Sequence, residues 1–347
     1  MPKRNQSLFA VVLLLAFAVF YARHQTRALE ARTPALTPFQ LQPERIMGTS
    51  CQLVVLAADP QACDAAPQML QEAEANLRHL ETLFSTYINV SEVSRINQAG
   101  AGEVVPLSPE VLEVLHSART AWEQSAGAFD VTCYPLIQLW RNAGKEGRIP
   151  SAEDIRLARE ASSWSDFELL SDGIRKLKAT ARIDLGGIAK GYSIDSTFLM
   201  LQAQPVTSVL VDVGGDLRVS GPYTDTLLWP VELKNPTANG SITHLHLTDM
   251  AVCTSGDYER YTTIQDQRFS HIMDPRSGIP AHVAKSVTVA GPSAMVADTW
   301  ATALSVLGEE GLALLPEGYQ ATILFQENGV LREISSAGWA QLANPSE

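Results

Sequence analysis

The chain has 347 residues and carries 38 acidic against 26 basic side chains, a net charge of −12, with 46% apolar residues. That length and apolar share provide for one large core or two ordinary ones and exclude an intrinsically disordered chain. The acidic balance, without a polybasic run, disfavours a nucleic-acid partner, and four cysteines with no C-x-x-C and no zinc spacing read as isolated thiols rather than a metal site.

At the N-terminus Lys3 and Arg4 precede an unbroken apolar run of fifteen residues, 8–22, the charged and apolar regions of an export signal. The run is shorter than the ~20 residues of a comfortable membrane span, and no clear small-x-small cleavage site follows it. Residues 1–22 are therefore read as a signal or anchor segment, with cleavage and retention both open. Residues 23–43, with three prolines, read as a linker. The folded part is expected from Glu44 to about residue 340, outside the cytoplasm, where Cys51 and Cys63 are able to pair.

A strand is predicted within 45–57, with Met47 as core and Gly48 as a bulge, and a helix over 69–84 from its apolar stripe. Ser108-Pro109-Glu110 starts another helix by its cap, N1 proline and first-turn acid, and Gly127 stops it. Ala128 to Thr132 reads as a strand interrupted by Asp130, an acid whose simplest role is to cap a turn. Ser151 and Asp154 form a capping box, and 167–178 is a hairpin about Asp172-Gly173.

Residues 181–199 pass from a predicted strand ending at Asp184, through Gly186 and Gly187, into a helix carrying Lys190 in its first turn. Glycines here take backbone angles closed to other residues, and the helix amides face a bound anion. Ile188, Tyr192 and Leu199 fall at helical spacing and pack down, leaving Lys190 free to reach the loop. A tight turn needing glycine for geometry alone is the structural alternative; neither G-x-G-x-x-G nor G-K-[ST] is present.

Strand 209–213, with Asp212 inside it, runs into Gly214-Gly215-Asp216, which as a bare pattern is a hairpin turn. His244 and His246 alternate with leucines and face solvent. Residues 270–280 concentrate turn formers around His271, for which a functional and a structural role weigh equally. Asp298 and Thr302, four apart on a helix running to Gly308, share one face and make a hard-oxygen pair suited to Mg²⁺ or Ca²⁺. Their structural reading is a first-turn acid at the helix dipole and a threonine bonding back. A last hairpin turns at Asn328-Gly329. Strands and helices mix without a βαβα repeat, which predicts an α+β fold, mixed sheets with packed helices, in a single catalytic domain.

Taken in order, Met47-Gly48-Thr49, Ala128-Phe129-Asp130-Val131-Thr132, Asp184 to Tyr192, Asp212 to Asp216, Thr254-Ser255-Gly256-Asp257, His271-Ile272-x-Asp274-Pro275-x-x-Gly278-x-Pro280 and Ala297-Asp298-x-x-Ala301-Thr302-Ala303 resemble the ApbE-like FAD:protein FMN transferases over about 45–335. The resemblance implies a bacterial enzyme on the periplasmic face of the inner membrane, or in the periplasm if the signal is cleaved. It implies that FAD is the substrate and Mg²⁺ the metal, with Ca²⁺ or Mn²⁺ as alternatives. FMN would pass through a phosphoester to a threonine or serine of an acceptor redox protein, releasing AMP. By the same resemblance Met47, Tyr87, Ala128, Phe129, Asp130, Asp184, Lys190 and Ile272 line the FAD site, the carbonyl of Gly187 joins Asp298 and Thr302 on the metal, and His271 is the base that deprotonates the acceptor. The chain departs from the family in having no lipobox cysteine, in Tyr134 where glycine is common, in 141–144 where a glycine-rich loop is usual, and in Ala301 where some relatives carry a second acid. The alternatives are an FAD pyrophosphatase, with water in place of the protein hydroxyl, and a non-catalytic exported FAD-binding protein.

Overall fold

The computed structural model describes residues 35–224, 227–256, 261–282, 284–327 and 329–343. The N-terminal apolar run, Asp257 and Asn328 lie outside the described residues. Among the described residues no helix is long and apolar enough to cross a membrane.

The fold is α+β, helices packed on antiparallel strands. In chain order it opens with β1 (Thr37–Leu41), β2 (Cys51–Ala57), α1 (Pro60–Phe84) and α2 (Glu92–Gln98). Next come β3 (Val104–Pro106), α3 (Pro109–Gln124), a 3-10 turn (Val131–Cys133), α4 (Tyr134–Glu146), α5 (Ala152–Glu160), β4 (Phe167–Leu169) and β5 (Gly173–Lys176). Then follow α6 (Ala189–Gln202), β6 (Ser208–Val213), β7 (Asp216–Ser220), β8 (Trp229–Lys234), β9 (Ser241–Leu247) and β10 (Met250–Gly256). Two small hairpins, β11 (Tyr261–Ile264) with β12 (Gln267–Ser270) and β13 (Met273–Asp274) with β14 (Ile279–Pro280), precede β15 (Ser286–Gly291) and α7 (Ala294–Leu307). The chain closes on β16 (Gln320–Glu327), β17 (Val330–Ser335) and α8 (Trp339–Ala343).

Eight strands form the central sheet in the order β1-β2-β6-β7-β10-β15-β16-β17, every pair antiparallel. Its central strands are covered on both faces, which is why β2 reads as a near-continuous apolar run rather than an alternating one. Leu53 and Val55 enter the core beneath α1, α6 and α7, whereas Val54 and Leu56 enter a second core under the β8–β9 hairpin and Trp339. Among the helices, α6 and α7 lie closest: a Cβ on Gly191 would fall 2.3 Å from the carbonyl oxygen of Ala294. Only glycine admits that approach, which brings Asp298 alongside the start of α6.

Several expectations change in the folded chain. Thr37–Leu41, inside the expected linker, is β1 and pairs along β2 from Thr37↔Ala57 to Leu41↔Leu53, so the folded part starts before Glu44. Residues 181–184 carry no strand; the buried side chain of Asn97 supplies the hydrogen bonds that a neighbouring strand would, accepting from Ile183 N (2.8 Å) and donating to Ile183 O (2.9 Å). Ala128 to Thr132 is no strand either. Asp130 accepts from Thr132 N–H (2.8 Å) and from its hydroxyl (2.7 Å), capping the 3-10 turn that feeds α4. The stretch 141–144, where a glycine-rich loop is usual in the family it resembles, is part of α4. Gly48 is not a bulge but half of a tight turn with Met47, both at positive φ, closed by the Ile46↔Thr49 bridge. All four cysteines are free thiols, so Cys51 and Cys63 do not pair. The helix from Ser108, the Ser151 capping box and the Gly214-Gly215 hairpin, with φ of +71 and +88, form as expected.

Candidate active site

The loop before α6 and one face of α7 meet. Asp298 and Thr302 stand one helical turn apart, and a Cβ built on Gly187 would fall 3.0 Å from Thr302 Oγ1 and 3.2 Å from Phe129. Neither Gly186 nor Gly187 has a positive φ, so it is space, not backbone angle, that excludes a side chain at Gly187. Ser255 on β10 closes the group, its Oγ 3.4 Å from Thr302 Oγ1. Three segments far apart in sequence thus place a backbone, a carboxylate and two hydroxyls together.

The charges are arranged beneath this junction. Lys190 is not free: its ammonium pairs with the buried carboxylate of Asp216, whose other oxygen accepts from Thr254 N–H (2.8 Å). Burial works against the ammonium, but Asp216 and Asp298 outweigh it and hold Lys190 protonated well beyond the ordinary lysine range. Burial pushes the carboxyl of Asp298 up to about 6, with Lys190 opposing and Asp216 adding to the rise. The helix amides expected to face an anion are engaged within the chain, since Ala189 N–H donates to Leu185 O (2.9 Å) and Gly191 N–H to Asp298 Oδ2 (3.0 Å). Asp298 lies in the second turn of α7, not its first, because the helix begins at Ala294 behind the Ser293 cap. Ile188 and Tyr192 pack inward as predicted, whereas Leu199 is exposed.

Next to this junction runs the turn bearing Ala128, Phe129 and Asp130. Asp184 N–H donates to Val131 O (2.8 Å), tying the two loops together. Burial raises Asp130 to about 6 against its Thr132 hydrogen bonds and raises Asp184 against the Gly186 amide and the charge of Arg141. The same Arg141 lies 5.8 Å above the ring of the exposed Tyr87, so Tyr87, Arg141 and Asp184 form one row. Ile272 is buried against Ala128, Ala281 and Val306, which anchors the exposed His271 beside the Ala128 turn. Trp140 of α4 fixes the far end of that loop by donating to Gly278 O (3.0 Å). Met47 is half-buried against the main core with its N–H held by Glu81 (2.7 Å), and Thr49, which ends its turn, packs on Gly214, two residues before Asp216.

Sequence reasoning placed Gly187, Asp298, Thr302 and Lys190 together but passed over their supports. Asp216 was read only as part of a hairpin turn, though an acid opening the buried strand 216–220 was the available signal. Asp195 on α6 was passed over entirely. It accepts from Ala294 N–H (2.9 Å), Met295 N–H (3.0 Å) and Ser293 Oγ (2.6 Å) and pairs with Arg218 (2.6 Å), capping α7 from another helix.

Among the described residues no group of three or more His, Cys, Asp or Glu side chains is arranged to hold a metal ion. The junction instead offers one buried carboxylate with neutral oxygens, the hard donor set of a cation that completes its shell with ligand phosphates and water. A carboxylate, two hydroxyls and a buried ion pair thus meet at one loop–helix junction.

Residues 47–325 match the model of the ApbE family, and the chain belongs to that family. It is an enzyme, a transferase. A relative from Vibrio cholerae named FAD:protein FMN transferase is 32% identical, over 73% of this chain and 77% of its own. One from Haemophilus influenzae with the same name is 28% identical over 97% of both chains. Among solved structures, the apo Pseudomonas stutzeri flavinyl transferase ApbE superposes with a TM-score of 0.78 at 31% identity, covering 89% of this chain and 98% of that one.

Proposed function

We propose that the protein is a Mg²⁺-dependent FAD:protein FMN transferase, moving FMN from FAD to a serine or threonine hydroxyl of a periplasmic-side redox protein, with residues 1–22 directing export. The observation that supports it best is the convergence of Gly187, Asp298 and Thr302 above the Lys190–Asp216 pair. Asp298, the Thr302 hydroxyl and the Gly187 carbonyl would hold the magnesium ion, which when bound neutralises diphosphate charge.

The chain's own groups divide the remaining work. The Lys190 ammonium, held by Asp216, offsets the charge of the buried Asp298 beneath the phosphates, where low dielectric strengthens the interaction. Phe129 and Ala128 give the flavin nucleotide an apolar wall, and Asp130, Asp184 and Tyr87 polar and aromatic edges. His271, on the exposed loop anchored by Ile272, takes the proton from the acceptor hydroxyl. The hydroxyl oxygen then bonds to the FMN phosphorus, the diphosphate P–O bond breaks, and AMP leaves.

The test is to incubate the enzyme with FAD, Mg²⁺ and an acceptor protein and to weigh the acceptor by mass spectrometry. An FMN-phosphoester adduct with equimolar AMP is expected. Free FMN and AMP formed equally fast without acceptor would replace transfer by pyrophosphatase activity, and FAD retained without turnover would leave a binding protein.

A further inference from the structure

On the other side of the His271 loop lies a second cleft, of about 480 Å³, within the size range of ligand pockets. Its walls are the turn after β8, the β11–β12 hairpin, the end of β14 and the chain entering β15. Arg268, His282 and Lys285 bring basic groups to it, Phe269 and Pro280 give it an apolar floor, and its described lining holds no acidic side chain. In a chain of net charge −12, such a concentration of basic groups suits an acidic partner. Arg268 is exposed, and its guanidinium stacks 3.6 Å from the centre of the Tyr261 ring, which fixes its direction without neutralising it.

The cleft meets the candidate active site at one place. Ser270 and Ala281 line it, and they flank the segment that begins with His271 and Ile272. Ser270 Oγ accepts from Ile272 N–H (3.1 Å), and Ala281 N–H donates to Ile272 O (2.8 Å). The Ile272–Ala281–Ala128 cluster stands between the cleft and the Ala128–Asp130 turn. None of Tyr87, Asp130, Asp184 or Asp298 lines the cleft. A ligand in it therefore lies next to the residue before His271 and outside the set of nucleotide residues.

We infer that this cleft is where the acceptor polypeptide docks, through an acidic segment next to the hydroxyl that receives FMN, with Arg268 and Lys285 setting acceptor selectivity. The inference rests on the transferase reading. A protein acceptor must reach His271 while FAD is bound, so it needs a surface that touches the histidine and not the nucleotide pocket. The basic cleft reaches Ser270, the residue next to the histidine, and none of the nucleotide residues named above, and complementary charge would raise encounter rate and fix the acceptor's register.

Steady-state transfer by the enzyme and its Arg268→Glu/Lys285→Glu variant tests this. The expected result is a rise of about tenfold or more in the KM for acceptor, with the affinity for FAD, read by flavin fluorescence, unchanged. Replacing the acceptor's acids near its modified residue by lysine should restore the KM with the variant and worsen it with the parent. A labelled hexaglutamate peptide followed by fluorescence anisotropy gives a readout independent of transfer, with binding to the parent and loss in the variant expected. An unchanged acceptor KM, unchanged hexaglutamate binding, or a loss of FAD affinity in its place would overturn the proposal, the last by making the cleft a nucleotide subsite. A parent enzyme that labels no acceptor counts against the transferase reading, and the hexaglutamate arm still decides the charge of the cleft.

Discussion

Asp298 and His271 differ in how the fold treats them, and their substitutions should differ accordingly. Asp298 is buried on α7 and accepts from the Gly191 amide, so Asp298→Ala removes both a hard ligand and a hydrogen-bond acceptor. Transfer should fall by about 10²–10³-fold with a raised Mg²⁺ requirement, and the orphaned amide should cost about 1–3 kcal/mol in urea unfolding. His271 is exposed on a loop whose anchor is Ile272. His271→Ala should keep FAD binding and thermal stability while losing about 10²–10⁴-fold in transfer; equal transfer by variant and parent would remove the base assignment. Asp130 carries a pH signature. Burial raises its carboxyl to about 6, above the unfolded value of 3.8, so the native chain binds more protons than the unfolded one between those values. Its contribution to stability is full below about 4 and is lost as pH rises through 6. Asp130→Asn keeps an acceptor oxygen for Thr132 without that titration. The melting temperature of the variant should gain on the parent's as pH rises from 4 to 6 and keep a constant lead over it above 7.

At the level of elements, the geometry depends on how α7 is held at its N-terminus. Asp195, reaching over from α6, takes two amides and the Ser293 hydroxyl of that terminus and balances Arg218. Arg218 in turn stacks 4.4 Å from the ring of Phe198, also on α6, so both of its contacts belong to that helix. Asp195→Ala should lower stability by about 3–5 kcal/mol, the cost of leaving a buried charge unpaired. With α7 loosened, the Mg²⁺ concentration for half-maximal transfer should rise more than the FAD KM. An unaltered Mg²⁺ dependence in a folded variant would confine Asp195 to stability. The same logic explains α4: its cap is Asp130's turn and its face packs Trp140 on Phe269, at 5.0 Å between rings, so the helix braces the hairpin leading to His271.

At the scale of the whole molecule, a sheet with its central strands buried on both faces depends on how its edges are covered. β1 is the strand that protects the edge of β2, with Phe39 and Leu41 packed on one core and Leu36 on the other. A chain shortened to begin at Glu44 exposes that apolar edge, whereas one beginning at Ala35 keeps it. The first should unfold at lower urea and aggregate in light scattering, and the second should match the longer chain. Equal stability of the two would show that β1 contributes nothing to the sheet.

Local pattern was enough for α3, α5, the hairpins and α1 from Met69 onward, though not for the start of α1 at Pro60, because caps, apolar stripes and Gly-Gly turns act over a few residues and need no distant partner. It was enough as well for the pairing of Asp298 with Thr302, which helix geometry alone puts on one face. It failed where a side chain from elsewhere takes over a backbone's hydrogen bonds, as Asn97 does at Ile183, and where an apolar stretch such as 128–132 is held by a turn instead of a ladder. It also failed for Lys190, whose buried partner Asp216 stands 26 residues away. The sequence by itself determined which residues carry charge, hydroxyl and imidazole and the order in which they occur. Only the tertiary structure decided which of them touch, because contact between segments a hundred residues apart is set by the packing of α6 on α7, at a glycine with no room for a side chain.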